Sequence, residues 1–276
     1  MTKIELKNLL KKYNLSPNKI RGQNFLISDT ILNTIIKTAD IQAEELILEI
    51  GPGLGSLTEK LVQNSKKVIA IEVDQNFKKV LNILEKKYDN LEIIWQDILS
   101  LTNEQFRKIL IKSNLVHYKI VANIPYYLTS KLISKFLSFK KKPISITLMV
   151  QKEVANRLVD KKQTLLSLGL SFYAHVNIVE IVKKYNFYPS PKVDSALIYI
   201  HNIQKWNYDV DENELWKLIH KGFIHKRKKL INNLALDINL NKSILSKAFK
   251  DINLNKNIRA QDLTKENWLD LYNKIS

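Results

Sequence analysis

Leu46-Ile47-Leu48-Glu49-Ile50-Gly51-Pro52-Gly53-Leu54-Gly55 decides the fold: an apolar run reads as a strand, three glycines make the turn, and helical spacing resumes at Leu57 to Val62. Glycines at a strand-to-helix turn let a ligand come close to the backbone. Onward from here, short β-rich runs at Lys67 to Glu72, Leu91 to Gln96, Lys119 to Ile124 and Ile144 to Val150 alternate with helical patterns. The helical patterns lie at Asn76 to Lys87, Glu104 to Ile111 and Thr129 to Phe139. That alternation is the order of a parallel sheet wound with helices on both faces. Leu166 to Val182 and Ser195 to Ile200 are expected to add an antiparallel edge. The polar stretch His201 to Glu214 marks a boundary, and Leu215 to Ser276 shows helical periodicity without a strand pattern. The expected organisation is an α/β domain over residues 1–205 and a small all-helical domain over residues 206–276.

The chain has 276 residues, 45% of them hydrophobic, which is enough to bury a substantial core. Its longest apolar runs, such as Ile144 to Val150, are too short to span a bilayer. Met1 to Lys12 mixes acids and bases with leucine at helical spacing, unlike a secretory signal or a transit peptide. A cytoplasmic location without a membrane partner is expected. With no cysteine in the sequence, thiolate nucleophiles, disulfides and Cys-ligated metal sites are excluded. His220 and His225 are five apart, not the four that places two ligands on one helical face, and no metal site is expected.

Lys plus Arg outnumber Asp plus Glu by 44 to 27, a formal charge of +17. Such a balance calls for a polyanionic partner, nucleic acid first, with base-composition bias of the genome as the plain alternative. The charge is also concentrated. His225-Lys226-Arg227-Lys228-Lys229 precedes Leu230, Ile231 and Leu234, so the cluster is expected to open or ride on an amphipathic helix and meet phosphates.

The ends of the strands carry the chemistry. Glu72 closes the second strand, 21 residues after Gly51, where a carboxylate accepts the ribose hydroxyls of an adenosine ligand. Asp97 closes the third and is placed to accept from an adenine amino group, with Ile98 against the ring. Each acid taken singly also reads as a solvated strand end. The glycine spacing is G-x-G-x-G, not the G-x-G-x-x-G that accompanies a dinucleotide pyrophosphate. Of two adenosine ligands, NAD and S-adenosylmethionine, the second fits better, because the fourth strand ends in Asn123, Pro125 and Tyr126 with no proton-transfer residue for hydride chemistry.

Asn123-Ile124-Pro125-Tyr126 places an amide, a rigid turn and a ring together after a buried run. The amide and a neighbouring carbonyl can accept hydrogen bonds from an exocyclic amine while the ring stacks on the base that bears it. The chemistry indicated is methylation of a nucleobase amino group; a strand-ending turn with a buried tyrosine is the simpler reading of the four residues alone.

Gly22-Gln23-Asn24-Phe25-Leu26, Glu49 to Thr58, Gln96-Asp97, Asn123 to Tyr126 and Phe187 to Ser195, in that order, resemble the rRNA adenine N6-dimethyltransferases. The resemblance implies a Rossmann-like sheet of the class I S-adenosylmethionine-dependent methyltransferases. It further implies that Asn24 and Leu26 line the cofactor site from the N-terminal arm, together with Gly51, Gly53, Glu72, Asp97, Ile98 and Asn123. The implied catalytic group is Asn123, Ile124, Pro125, Tyr126 and Phe187, with Phe187 packing on the target adenine opposite Tyr126. Without the resemblance, Asn24 reads as a loop or cap residue and Phe187 as a core aromatic beside the turn Pro189-Ser190-Pro191.

Within that family, Gly51-Pro52-Gly53, Gln151 to Val154, and Phe223 with Lys226 to Lys229 and Asn232-Asn233-Leu234 look like the KsgA-type small-subunit enzymes. These dimethylate two adjacent adenosines near the 3′ end of the small-subunit rRNA during ribosome assembly. The implied partner is that rRNA in an immature subunit, met by a monomer, with Lys226, Arg227, Lys228 and Lys229 on the RNA. Asp160 to Thr164 is short and lacks the glycine-tyrosine element of that branch, which leans toward the large-subunit Erm methylases. A non-catalytic rRNA-binding assembly factor is the alternative from a different class.

Overall fold

The computed structural model describes residues 2–18, 21–115, 117–236 and 241–275. The chain forms two compact units, one of residues 1–155 with 175–203 and one of residues 156–174 with 204–276. Its elements begin with α1 (Lys3–Lys12), β1 (Phe25–Leu26), α2 (Asp29–Ala39), β2 (Leu46–Ile50), α3 (Ser56–Asn64), β3 (Lys67–Glu72) and α4 (Lys78–Lys87). They continue through β4 (Leu91–Trp95), α5 (Asn103–Lys112), β5 (Tyr118–Asn123), α6 (Thr129–Ser138), β6 (Ile146–Gln151), α7 (Lys152–Val159) and α8 (Leu165–Tyr173). The rest are β7 (His175–Val182), β8 (Phe187–Tyr188), β9 (Ser195–His201), α9 (Glu212–Gly222), α10 (Leu230–Leu234), α11 (Lys242–Asp251) and α12 (Lys265–Ile275).

Seven strands form one sheet in the order β4-β3-β2-β5-β6-β9-β7. The first five are parallel, and β9 runs antiparallel to both β6 and β7. All five residues of β2 are buried, as expected of a parallel strand covered on both faces. Ile47, Val68 and Ala70 pack with Leu32 and Ile35 of α2 and Leu61 and Val62 of α3. Leu6 and Leu10 of α1 join the same core, which is what the leucine spacing at the N-terminus foretold. Local signals start the helices: Ser28 accepts the N–H of Ile31, and Thr102 with Gln105 forms a capping box.

The chain places β2, β3 and β4 successively outward, then returns to lay β5 on the other side of β2. This reversal opens a crevice at the carboxyl ends of the strands, the place where open α/β sheets bind ligands. Strand β1 pairs antiparallel with β8, Leu26 opposite Phe187, and so fastens the N-terminal arm within the first unit.

Two expectations differ from what is observed. Leu166 to Tyr173 is helical, and only His175–Val182 is a strand. The Thr164 hydroxyl accepts the N–H of Ser167 at 3.1 Å, which starts α8 and commits Leu168, Leu170 and Phe172 to helical burial. Periodicity alone does not separate a short buried helix from a buried strand. Residues 156–174, expected in the first domain, accordingly group with the second unit, where Phe172 packs on Trp206, Tyr208 and Trp216. The chain enters that unit for the last time at residue 204, against the expected boundary at 206. The cationic run opens a helix, as expected: Lys226 to Lys229 lie exposed between α9 and α10, and Lys229 is the N-cap of α10, which buries Leu230 and Leu234.

Within the second unit Gly222 ends α9 against Trp268. A Cβ there would stand 2.4 Å from Trp268 Cη2 and 2.9 Å from Leu230 Cδ1. Gly222→Ala is therefore expected to lower the stability of this unit by about 1–3 kcal/mol through overpacking, read as a shift of its urea midpoint; an unchanged midpoint contradicts the packing described.

Candidate functional site

The crevice is lined by Arg21 to Leu26, the glycine turn, the β3 end, Gln96 to Ile98 and Asn123 to Leu128, and encloses about 1120 Å³ counted to its open mouth. All the residues expected at the cofactor, Asn24, Leu26, Gly51, Gly53, Glu72, Asp97, Ile98 and Asn123, stand on this wall. Parallel strands bring them together, since β2, β3, β4 and β5 all end on the same edge of the sheet.

Gly51 has φ 69° and Gly53 φ 56°, both in the left-handed region that favours glycine. A Cβ on Gly51 would meet no atom within 4 Å, so the backbone there faces the cavity bare. The turn is tied to β3 by Glu72, whose Oε2 accepts the Gly53 N–H at 3.1 Å. Glu72 Oε1 accepts from the N–H groups of Val73 and Asp74 at 2.9 and 2.8 Å. Three of the carboxylate's roughly four lone-pair sites are thus taken, and Oε2 keeps capacity for a ligand hydroxyl. Burial raises the Glu72 pKa, and the three backbone donors oppose that rise.

Asp97 Oδ1 accepts the Leu99 N–H at 2.8 Å, which starts a short turn and brings Ile98, 4% exposed, onto the wall. The arm closes the opposite side. Asp74, 5% exposed, accepts from Gln23 Nε2 at 2.8 Å and pairs with Arg21 at 3.2 Å. Asn123 donates through Nδ2 to the Asn24 carbonyl at 3.3 Å, which leaves its Oδ1 without a hydrogen-bond partner among the described residues. Tyr126 is half-buried, its hydroxyl 2.6 Å from the Ser195 hydroxyl, and burial raises its pKa. Phe187 stands apart: it is 3% exposed, packed with Leu26 and Val182 in the core, and absent from the cavity wall. The strand pairing of β8 with β1 turns this ring inward, so the two-sided aromatic slot expected of Tyr126 and Phe187 is not formed. Lys226 to Lys229 belong to the other unit and take no part in this wall.

Sequence reasoning missed Glu49, Asp74 and Arg21. Glu49 is 1% exposed, lines the cavity, and leaves Oε2 without a hydrogen-bond partner. Burial pushes its carboxyl up to about 8, the Thr58 hydroxyl offsets part of that, and the Glu72 carboxylate adds to it. A carboxyl inside an otherwise apolar strand was the signal for it; Asp74 and Arg21 had none beyond their place next to quoted motifs.

The donor set fits S-adenosylmethionine. In a chain of charge +17 the described residues of the cavity wall include Glu49, Glu72, Asp74 and Asp97 and, among cations, only Arg21. Such a wall suits a ligand bearing a sulfonium and an ammonium and repels a pyrophosphate. Glu72 Oε2 keeps room for a hydroxyl donor, Asp97 and Ile98 stand together on the wall, and Glu49 leaves an orphaned carboxyl oxygen, a set that would suit an adenosine bearing a cation.

A mostly parallel seven-stranded sheet with this cavity at its reversal defines a Rossmann-like methyltransferase. Residues 14–276 match the ribosomal RNA adenine dimethylase family. The chain is 38% identical over 270 residues to the ribosomal RNA small subunit methyltransferase A of Dehalococcoides mccartyi, covering 97% of this chain and 91% of that protein. To the protein of the same name from Bacillus pumilus it is 36% identical over 283 residues, with 99% and 96% covered. A dimethyladenosine transferase structure from Plasmodium falciparum superposes with TM-score 0.72 at 26% identity, over 90% of this chain and 95% of that one. The 23S rRNA methyltransferase ErmE shares the fold at TM-score 0.71 and 21% identity, with 91% and 99% covered. The chain belongs to the ribosomal RNA adenine dimethylase family and is an S-adenosylmethionine-dependent enzyme acting on rRNA.

Glu49 gives a pH-dependent prediction. Its folded pKa stands above the ordinary 4.5, so the folded chain keeps a proton that the unfolded chain has lost, and stability falls as pH rises from about 4.5 toward about 8. Glu49→Gln removes that titration. Urea unfolding of both proteins is expected to show the variant gaining on wild type across this window, by up to about 1.4 kcal/mol per pH unit. Parallel pH profiles would place the carboxyl in contact with water.

Proposed function

We propose that the protein transfers methyl groups from S-adenosylmethionine to N6 of two adjacent adenosines near the 3′ end of small-subunit rRNA, giving N6,N6-dimethyladenosines. The orientation of Asn123 carries this reading: its amide nitrogen is spent on the Asn24 carbonyl, and its oxygen remains as an acceptor at the cavity wall beside Tyr126. The small-subunit target is supported by 34–38% identity, over nearly the whole chain, to proteins named for that subunit. ErmE, at 21%, shares the fold alone, and the large-subunit alternative is not favoured. Asn123, Tyr126 and Glu72 on one wall support catalysis over a purely binding role.

The target adenine leaves its stack and enters beside Tyr126, whose ring offers a stacking face while Ser195 holds its hydroxyl. Asn123 Oδ1 and the Ile124 carbonyl accept the two N6 protons, and Pro125 fixes the turn that presents both. Holding those protons aside turns the N6 lone pair out of the ring plane. S-adenosylmethionine supplies the electrophilic methyl carbon. As N6 bonds to that carbon, the carbon–sulfur bond would break and its electron pair leave with the neutral thioether; the methylated N6 would then release a proton to water, so positioning and electrostatics suffice and no strong base is needed. Phe187 serves from below, holding β8 and the arm in register. Lys226, Arg227, Lys228 and Lys229 meet rRNA phosphates in an immature subunit, and the enzyme works as a monomer in the cytoplasm.

Transfer of labelled methyl groups to small-subunit particles lacking the modification tests the assignment, and a preference for large-subunit RNA overturns it. Asn123→Ala is expected to lower kcat by about 10²–10³-fold with RNA affinity nearly unchanged, since phosphates supply most of the binding. Near-normal turnover of that variant removes Asn123 from the reaction. Changing Lys226, Arg227, Lys228 and Lys229 to glutamine should reduce the slope of log affinity against log salt by about 3, and an unaltered slope leaves the loop off the RNA.

A further inference from the structure

Tyr126 and Tyr127 are consecutive in the turn after β5, yet they are used differently. Tyr126 is half-buried and bonded to Ser195, whereas Tyr127 is 60% exposed at the cavity mouth. No described residue makes a hydrogen bond or a ring contact with Tyr127. Its Cδ1 lies where a Cβ on Gly22 would come within 3.9 Å, so the glycine of the arm leaves that edge of the ring uncrowded. Arg21 also lines the cavity, its side chain 46% exposed and paired with Asp74 at 3.2 Å.

A solitary exposed aromatic is ordinary, and exposure by itself carries nothing. Position carries the inference. A nucleotide taken into the site stays joined to its neighbours, so the flanking nucleotide must sit at the mouth through which the target entered. The short turn that holds Tyr126 also holds Tyr127 and sets it on the cavity wall, so an exposed ring stands where that neighbour would pass. Every base presents a π face, and proteins hold single strands by stacking bases on aromatic side chains.

Resting on the rRNA adenine methylation proposed above, we propose that Tyr127 forms a second nucleobase subsite, stacking on the base that flanks the target adenosine. The subsite holds one of two adjacent adenosines while the other is methylated. It binds RNA and does not take part in the chemistry, so it acts on the RNA terms of the kinetics and leaves cofactor binding alone.

The test compares wild type with Tyr127→Ala, Tyr127→Phe and Tyr127→Leu on small-subunit particles lacking the modification, measuring kcat/KM and, by calorimetry, the S-adenosylmethionine Kd. Tyr127→Ala and Tyr127→Leu are expected to lose on the order of tenfold in kcat/KM, Tyr127→Phe to stay within about twofold, and all four to share one cofactor Kd. Full activity of the alanine variant, leucine as good as phenylalanine, or a cofactor Kd that falls off in step with kcat/KM each overturns the subsite. Wild-type protein that methylates no small-subunit particle overturns the proposed function first, and the subsite with it.

Discussion

The pairing of β2 with β3 on one side and β5 on the other is the constraint on which the site rests. It places the ends of four parallel strands along one crevice, so residues as distant in sequence as Gly51, Glu72, Asp97 and Asn123 share a wall. The Gly53 N–H to Glu72 carboxylate bond then locks the turn of one strand to the end of the next. Because Glu72 also holds the backbone of Val73 and Asp74, this carboxylate is a structural cap that still stands on the cavity wall.

Charge is segregated with the same economy. The surface of a +17 chain favours polyanions, while the cavity is walled mainly by carboxyl groups. One polymer and one cationic cofactor can thus be bound by one protein without competing for the same field. The cost falls on Glu49 and Glu72, whose buried carboxyls are raised in pKa and close enough to disfavour each other's charge. A cationic ligand relieves that situation, which is a physical reason for the cavity to prefer a sulfonium over a dinucleotide.

The arm completes the wall by hydrogen bonds and not by packing alone. Asp74 receives Gln23 and Arg21, Asn123 donates to Asn24, and β1 pairs with β8. Orientation of the Asn123 amide follows from the middle contact. An asparagine is chemically symmetrical enough to turn either way, and here a backbone carbonyl decides which end faces the substrate.

Strand-to-helix alternation, the glycine turn and the acids at strand ends were legible in the sequence because each obeys a local rule: period, turn chemistry or position at the end of an apolar run. That the residues at those strand ends share one wall followed, since a parallel sheet converts strand ends into neighbours. What the sequence could not determine depends on through-space partners. Leu166 to Tyr173 became a helix through the Thr164 cap, and Phe187 turned into the core through the β1–β8 pairing. The proton on Glu49, the free oxygen of Asn123 and the exposed ring of Tyr127 likewise belong to the tertiary structure, because burial and hydrogen-bond partners are properties of neighbours that only folding supplies.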